Sequence, residues 1–239
     1  MKVDTESYRF ASEILQHANH RAAWDEISEV LENTPLFIYP GKSSKNKKLD
    51  VVQQVMNTYF DRRLSVDLGW EYHPLATRIE NSGLAADFRK SFGEMVIQVE
   101  VQFGNMSRWY SDIFKFQTAY SQSLINIGLC VLPTAVMARR IDSNVAQYER
   151  ALRELPSAEL SITLPIVLAG LTPDENTETI DISRCQFQNL AAITGRGGIE
   201  NRWRIVHGYL NGIPMEEIGP HSDTGPLLQA ALVADASEE

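Results

Sequence analysis

The stretch Val96-Ile97-Gln98-Val99-Glu100-Val101-Gln102-Phe103 alternates between apolar and polar side chains from its second residue onward. Successive side chains of an extended strand point to opposite faces, and Val and Ile favour a half-buried strand. One face therefore carries the apolar side chains of Ile97, Val99, Val101 and Phe103. The other carries the polar side chains of Gln98, Glu100 and Gln102. The pattern predicts a strand that packs into a core and holds one carboxylate between two amides.

A second apolar run, residues 84–88, lies upstream and contains one acid, Asp87. The polar residues 89–94 separate the two runs, which predicts an antiparallel hairpin with a turn over those residues. The hairpin brings Asp87 near Glu100, and two carboxylates suit a hard divalent cation. A solvated sheet edge carries the same residue types, so the spacing alone leaves both interpretations open. Glu80, shortly upstream, is a candidate for a further polar residue at such a site.

The order Asp87, Glu100, Val101, Gln102 resembles the PD-(D/E)xK nuclease pattern, with Gln102 where most members have Lys. The string Val-Glu-Val-Gln-Phe, after an Asp-Phe pair, is similar to the BglII/BstYI group of type II restriction endonucleases. Further segments that agree in the same order are residues 11–27, 112–115, 127–133, 148–149 and 165–171. The resemblance covers about residues 8–174. It implies an α/β fold with a restriction-endonuclease-like core, in which helices flank a central mixed β-sheet.

The resemblance also implies an activity. The expected enzyme is a Mg²⁺-dependent type II site-specific deoxyribonuclease that cuts double-stranded DNA at a short palindrome with a GATC core and leaves 5′ overhangs. Asp87, Glu100 and the Val101 carbonyl are the implied Mg²⁺ ligands. Gln102 carries no charge but both donates and accepts hydrogen bonds, so it can position the attacking water. Asp87, Glu100 and Gln102 are thus the expected catalytic residues.

Other residues must read the DNA sequence. Asn105, Ser143 and Asn144 fall where the similar enzymes place base-contacting residues, and Asn pairs bidentately with adenine. Two adjacent arginines, Arg139 and Arg140, suit guanine or phosphate, although a solvated pair on a loop fits them equally well. A loop over residues 40–48 contains four lysines, of which Lys47 is a candidate phosphate contact. A solvated linker is the open alternative for that loop.

Composition sets the limits of these expectations. At 44% hydrophobic and 22% charged, the chain is typical of a globular protein. The net charge of −9 counts against a protein that coats nucleic acid by bulk charge and mildly against a nuclease, but a locally basic cleft is compatible with it. Cys130 and Cys185 are far apart in apolar surroundings, which indicates reduced thiols. With no signal-peptide pattern and no apolar run long enough for a membrane span, we expect a cytoplasmic protein.

Residues 1–233 are expected to form a single endonuclease domain, with a core over about residues 8–174 and a C-terminal extension over 175–233. An acidic tail follows at 234–239. A helix is predicted over residues 106–124, with Trp109 and Phe116 on a second apolar surface that indicates a partner subunit. The similar enzymes form homodimers through this helix. Two alternative functions stay open. One is a non-catalytic DNA-binding protein on the same fold, and the other is a nuclease of DNA repair or of conflict between genetic elements, without tight sequence specificity.

Overall fold

The computed structural model describes residues 1–158 and 161–228. The strands in chain order are β1 (Lys2–Tyr8), β2 (Leu36–Ile38), β3 (Glu71–Tyr72), β4 (Phe88–Phe92), β5 (Met95–Val101), β6 (Ile127–Pro133), β7 (Ile166–Thr172) and β8 (Thr179–Asp181). The α-helices are α1 (Ala11–Gln16), α2 (Arg21–Glu32), α3 (Gln53–Phe60), α4 (Met106–Ser121), α5 (Ala135–Ile141), α6 (Tyr148–Glu154), α7 (Ala191–Thr194) and α8 (Ile199–Leu210). Within these described ranges, no helix is both long and apolar enough to cross a membrane.

The residues separate into two compact units. The first comprises residues 1–33 and 69–176, and the second comprises 34–68 together with the described residues from 177 onward. The sequence predicted one domain over 1–233, with 175–233 as an extension of the core. That boundary stays a prediction, and the acidic tail at 234–239 lies outside the described residues.

A mixed six-stranded sheet forms the first unit, in the order β1-β7-β6-β5-β4-β3. Strands β5, β6 and β7 are parallel to one another, whereas β4 pairs antiparallel with β5, β3 with β4, and β1 with β7. Helices α4 and α6 pack on one face of this sheet, where their side chains join those of β6 and β7 in one apolar cluster. The predicted fold class, a central mixed sheet flanked by helices, is confirmed.

The predicted hairpin is present with a shorter turn. Strand β4 pairs with β5 from Phe88 to Phe92, so most of the segment expected as turn belongs to the strand. The reversal is made by Gly93, whose φ of 64° is readily adopted by glycine. Strand β5 lies between β4 and β6, and both of its faces are buried: Gln98 and Glu100 are 0% exposed. The polar row therefore lies inside the unit and is not solvated.

Helix α4 packs on the sheet through Trp109 and Phe116, the two residues that were predicted to lie on a second surface. Trp109 and Phe116 are buried, at 2% and 0% exposure, whereas Tyr110 and Phe114 are exposed. Gly128 of β6 allows Phe116 to pack this closely on the strand, because a Cβ at that position would lie only 2.9 Å from the Phe116 ring. The absent side chain leaves space for the aromatic ring directly on the strand. The expectation that Trp109 and Phe116 form a free surface is wrong.

The second unit is built from segments that are distant in the sequence. Strand β2 pairs in parallel with β8, and helix α3, continued by a π-helical segment at Asp61–Asp67, packs against α8. The rings of Phe37 and Tyr209 meet edge-on with their centroids 5.5 Å apart. Residues 177–228, expected as a C-terminal extension, thus share a core with residues 34–68.

Candidate active site

The hairpin β4–β5 sets Asp87 beside Glu100. Asp87 directly precedes β4, and the register pairs the next residue, Phe88, with Val99. Asp87 Oδ2 accepts a hydrogen bond from the Val101 N–H at 2.8 Å, which ties the acid to the end of β5. Burial raises the pKa of Asp87, while Lys115 and the Val101 N–H oppose that rise.

Glu100 is a fully buried carboxylate held at both oxygens. Gln98 Nε2 donates to Oε1 at 3.0 Å, and Lys115 Nζ donates to Oε2 at 2.7 Å. Burial raises the pKa of Glu100 well above its usual range, and the neighbouring Asp87 raises it further. The free energy of the ionised Glu100 carboxylate therefore depends on the positive charges near it.

The amide of Gln102 is fixed by protein groups on both sides. Its Nε2 donates to Asp112 Oδ2 at 2.7 Å, and its Oε1 accepts from the Gly104 N–H at 2.9 Å. The side chain is buried, at 6% exposure. These two contacts use one of the two amide hydrogens and one of the two lone pairs of the amide oxygen.

Two residues of this cluster were not predicted as site residues: Asp112 and Lys115, one turn apart on α4. Lys115 Nζ lies 3.0 Å from Asp112 Oδ1. Burial raises the pKa of Asp112, with Lys115 acting against it. Burial lowers the pKa of Lys115, but Glu100 and the two aspartates outweigh this and leave its pKa raised. The i,i+3 acid–base spacing was visible in the sequence; its position over β5 was not.

The donor set at the end of β5 fits a Mg²⁺ ion. Among the described residues, no three His, Cys, Asp or Glu side chains form a group suited to a metal. The candidate set is two carboxylates, Asp87 and Glu100, with the Val101 carbonyl. Mg²⁺ takes oxygen ligands and usually keeps several waters, so it is commonly held by one or two carboxylates. Glu80, the further candidate, is exposed in the segment before β4.

Two of the candidate base-reading residues lie next to each other. Asn105 and Val145 form an isolated antiparallel bridge, and the Met106 N–H donates to the Asn144 carbonyl at 3.1 Å. Asn105 and Asn144 are both exposed. Asn105 also caps α4, because its side chain accepts from the Ser107 N–H at 2.9 Å. The start of α4 and the loop before α6 therefore lie side by side, with Asn105 and Asn144 both exposed.

The remaining candidates are more scattered. Ser143 is exposed in the same loop, and its hydroxyl donates to Asp142 at 3.3 Å. Arg139 and Arg140 occupy the last turn of α5, where Arg139 is exposed and Arg140 is half-buried. Lys47 is exposed in the lysine-containing loop of the second unit. Their roles in DNA binding stay predictions.

Comparisons with known proteins agree with this fold. The structure of BglII in complex with a DNA 16-mer is 23% identical in sequence and has a TM-score of 0.61. The match covers 74% of this chain and 81% of the BglII chain. Free BglII is 22% identical, covers 74% and 82%, and has a TM-score of 0.49. No curated protein matches the sequence. The family model described as restriction endonuclease BglII/BglIII matches residues 3–171. The chain therefore belongs to the BglII/BglIII restriction endonuclease family.

Proposed function

We propose that this chain is a type II restriction endonuclease that hydrolyses DNA phosphodiesters at a short palindromic site with Mg²⁺. The observation that carries the proposal is the hairpin that sets Asp87 beside Glu100, with Gln102 two residues further along the same segment. These residues fall inside the range matched by the restriction endonuclease family. The resemblance further favours a site with a GATC core and 5′ overhangs.

The residues of the candidate active site would have separate roles in phosphodiester hydrolysis. Asp87, Glu100 and the Val101 carbonyl would hold Mg²⁺, which when bound lowers the pKa of a water and neutralises charge on the phosphate. Glu100 is anchored for this role by Gln98 and Lys115. Gln102 offers its remaining N–H and lone pair to the attacking water. Since Gln102 does not titrate, the proton of that water passes to solvent or to a phosphate oxygen.

We propose double-stranded DNA as the partner, as in the BglII complex to which the fold is similar. The exposed Asn105, Ser143 and Asn144 would contact base edges. The basic side chains Arg139, Arg140 and Lys47 would contact guanine or phosphate. A homodimer would match the twofold symmetry of a palindrome, and the exposed Phe114 on α4 supports it.

Plasmid digestion with and without Mg²⁺ tests the activity. We expect discrete fragments from the wild type with Mg²⁺ only, and none from Glu100→Ala, which lacks a metal ligand. Glu26→Ala is the matched control, because Glu26 also pairs with a lysine, Lys90, at 2.8 Å. A smear from the wild type would indicate a less specific nuclease. Intact plasmid, with DNA still bound, would indicate a non-catalytic DNA-binding protein.

A further inference from the structure

Helix α4 places an acid and a base over the polar face of β5. Asp112 is 3% exposed, and the Lys115 side chain is 16% exposed. Neither residue belongs to the nuclease motif. Each nevertheless contacts a different motif residue: Lys115 contacts Glu100, and Asp112 contacts Gln102.

The contacts form one continuous chain across the site. It runs from Glu100 Oε2 to Lys115 Nζ at 2.7 Å, then to Asp112 Oδ1 at 3.0 Å, and from Asp112 Oδ2 to Gln102 Nε2 at 2.7 Å. Both oxygens of Asp112 are therefore engaged, one by each neighbour. The loss of Lys115 would remove the contact to Glu100, the loss of Asp112 would remove the contact to Gln102, and either loss would leave the other side chain without its ion-pair partner.

Charge gives Lys115 a second effect. Glu100 lies near two further acids, Asp87 and Asp112, whose negative charges repel its own. Lys115 is the cation in direct contact with two of these three acids. Removing one partner of a buried ion pair is strongly destabilising, because the desolvation of the remaining charge is then uncompensated. Lys115 therefore offsets part of the cost of burying the Glu100 carboxylate, and it also repels any cation that approaches the same carboxylate.

We propose that Asp112 and Lys115 are positioning residues of the active site. Lys115 fixes Glu100, Asp112 fixes Gln102, and the pair joins the metal-binding end of the site to the water-binding end. This inference rests on the proposed function, because the effect of positioning is expressed in the cleavage step. A buried ion pair with only a structural role would affect folding without the pattern of metal binding and cleavage that follows from this assignment.

The first experiment compares Lys115→Met and Asp112→Asn with the wild type. We expect single-turnover cleavage in Mg²⁺ to fall on the order of 100-fold in each, because misplaced reacting groups lose rate steeply. Calorimetric titration should show Lys115→Met binding Ca²⁺ about tenfold more tightly, because a repelling charge is removed. Lys90→Met, which breaks the ion pair with Glu26, is the matched control and should change neither quantity. Unchanged cleavage in both variants, or parallel loss of Ca²⁺ binding and cleavage in Lys115→Met, would overturn the proposal.

The second experiment needs neither metal nor DNA. Melting temperatures are measured in EDTA for the wild type, Lys115→Met, Glu100→Gln and the double variant. We expect Lys115→Met to melt several degrees lower and the double variant to recover most of that loss, because the neutral amide that replaces the carboxylate needs no cation. Additive effects would show that Lys115 does not hold Glu100, and the proposal would be wrong. If the wild type fails to cleave DNA, the proposed function fails, whereas the assignment of Lys115 is still decided by this cycle.

Discussion

Glu100 shows how one residue can be placed for function at a cost in stability. It is a carboxylate without exposed surface, beside Asp87 and near Asp112. Lys115 Nζ contacts its carboxylate at 2.7 Å. Burial raises the pKa of Glu100 above its usual 4.5, so the folded chain binds this proton more tightly than the unfolded chain does.

The raised pKa of Glu100 determines how the stability of the folded chain changes with pH. A raised folded pKa gives stability that is present below the unfolded value and is lost as the pH rises through the folded value. Glu100→Gln removes this group, so we expect the variant to gain stability relative to the wild type as the pH rises above 4.5. Exposed acids with lowered pKa, such as Asp223, act in the opposite sense, but they are common to both proteins.

Melting temperatures in EDTA across this pH range measure the difference. Glu26→Gln serves as the control, and its difference from the wild type should lack this rise. Divalent cation should reduce the advantage of Glu100→Gln at alkaline pH, because a bound cation compensates the charge of the wild-type carboxylate. A constant difference between Glu100→Gln and the wild type at all pH values would contradict the assigned burial of the charge.

At the scale of elements, the sequence predicts strands better than it predicts helix orientation. The alternation in β5 and the continuous apolar run of β6 indicate a strand directly, because side chains in a strand repeat every two residues. Helix α4 has apolar residues on two faces, so its own pattern does not specify which face is buried. That choice depends on Gly128, which leaves space for Phe116.

The same dependence limits how much of the active site could be predicted. Asp87, Glu100 and Gln102 lie on one hairpin, and their proximity follows from local spacing and the motif. Asp112 and Lys115 reach β5 only because α4 returns across the sheet with a particular rotation. The union of residues 34–68 with 177–228 is likewise a long-range contact that no local pattern encodes.

The exposed face of α4 leads to a prediction about assembly. Phe114 is 62% exposed, and Tyr110, one turn earlier, is 49% exposed. Because exposed apolar patches on a helix are typical of interfaces, we expect a homodimer that Phe114→Asp dissociates. Val136→Asp is the matched control, since Val136 is an exposed apolar residue on α5, at 58% exposure. Sedimentation velocity measures the mass of each protein. A monomeric wild type, or equal dissociation by both substitutions, would contradict the assignment of α4.

At the scale of the whole molecule, binding DNA must overcome an unfavourable net charge of −9. Contacts to phosphate and contacts to bases contribute differently to that binding. Phosphate contacts strengthen binding to every sequence and increase its salt dependence, whereas base contacts distinguish one sequence from another. The candidate residues can therefore be sorted by which of these two properties they change.

Asn144, a candidate base contact, and Lys47, a candidate phosphate contact, allow these two properties to be tested separately. Asn105 is less suitable than Asn144, because it also caps α4 and its loss would weaken the helix. Asn144 has no such role: α6 begins at Tyr148, after its N-cap Gln147. An effect of Asn144→Ala on DNA binding is therefore not explained by the loss of a helix cap. Lys47 is an exposed side chain in the lysine-containing loop.

We expect Asn144→Ala to weaken binding to the cleaved sequence by about 1–3 kcal/mol and to leave binding to a scrambled duplex nearly unchanged. Lys47→Ala should weaken both and lower the slope of log K against log salt by about one. The measurement is a titration against both duplexes at two salt concentrations, in Ca²⁺ to prevent cleavage. Lys2→Ala, at another exposed lysine, is the control for Lys47. If Asn144→Ala weakened both duplexes equally, Asn144 would not read bases, and specificity would have to come from the other candidate residues, such as Asn105, Arg139 and Arg140, or from the shape of the DNA.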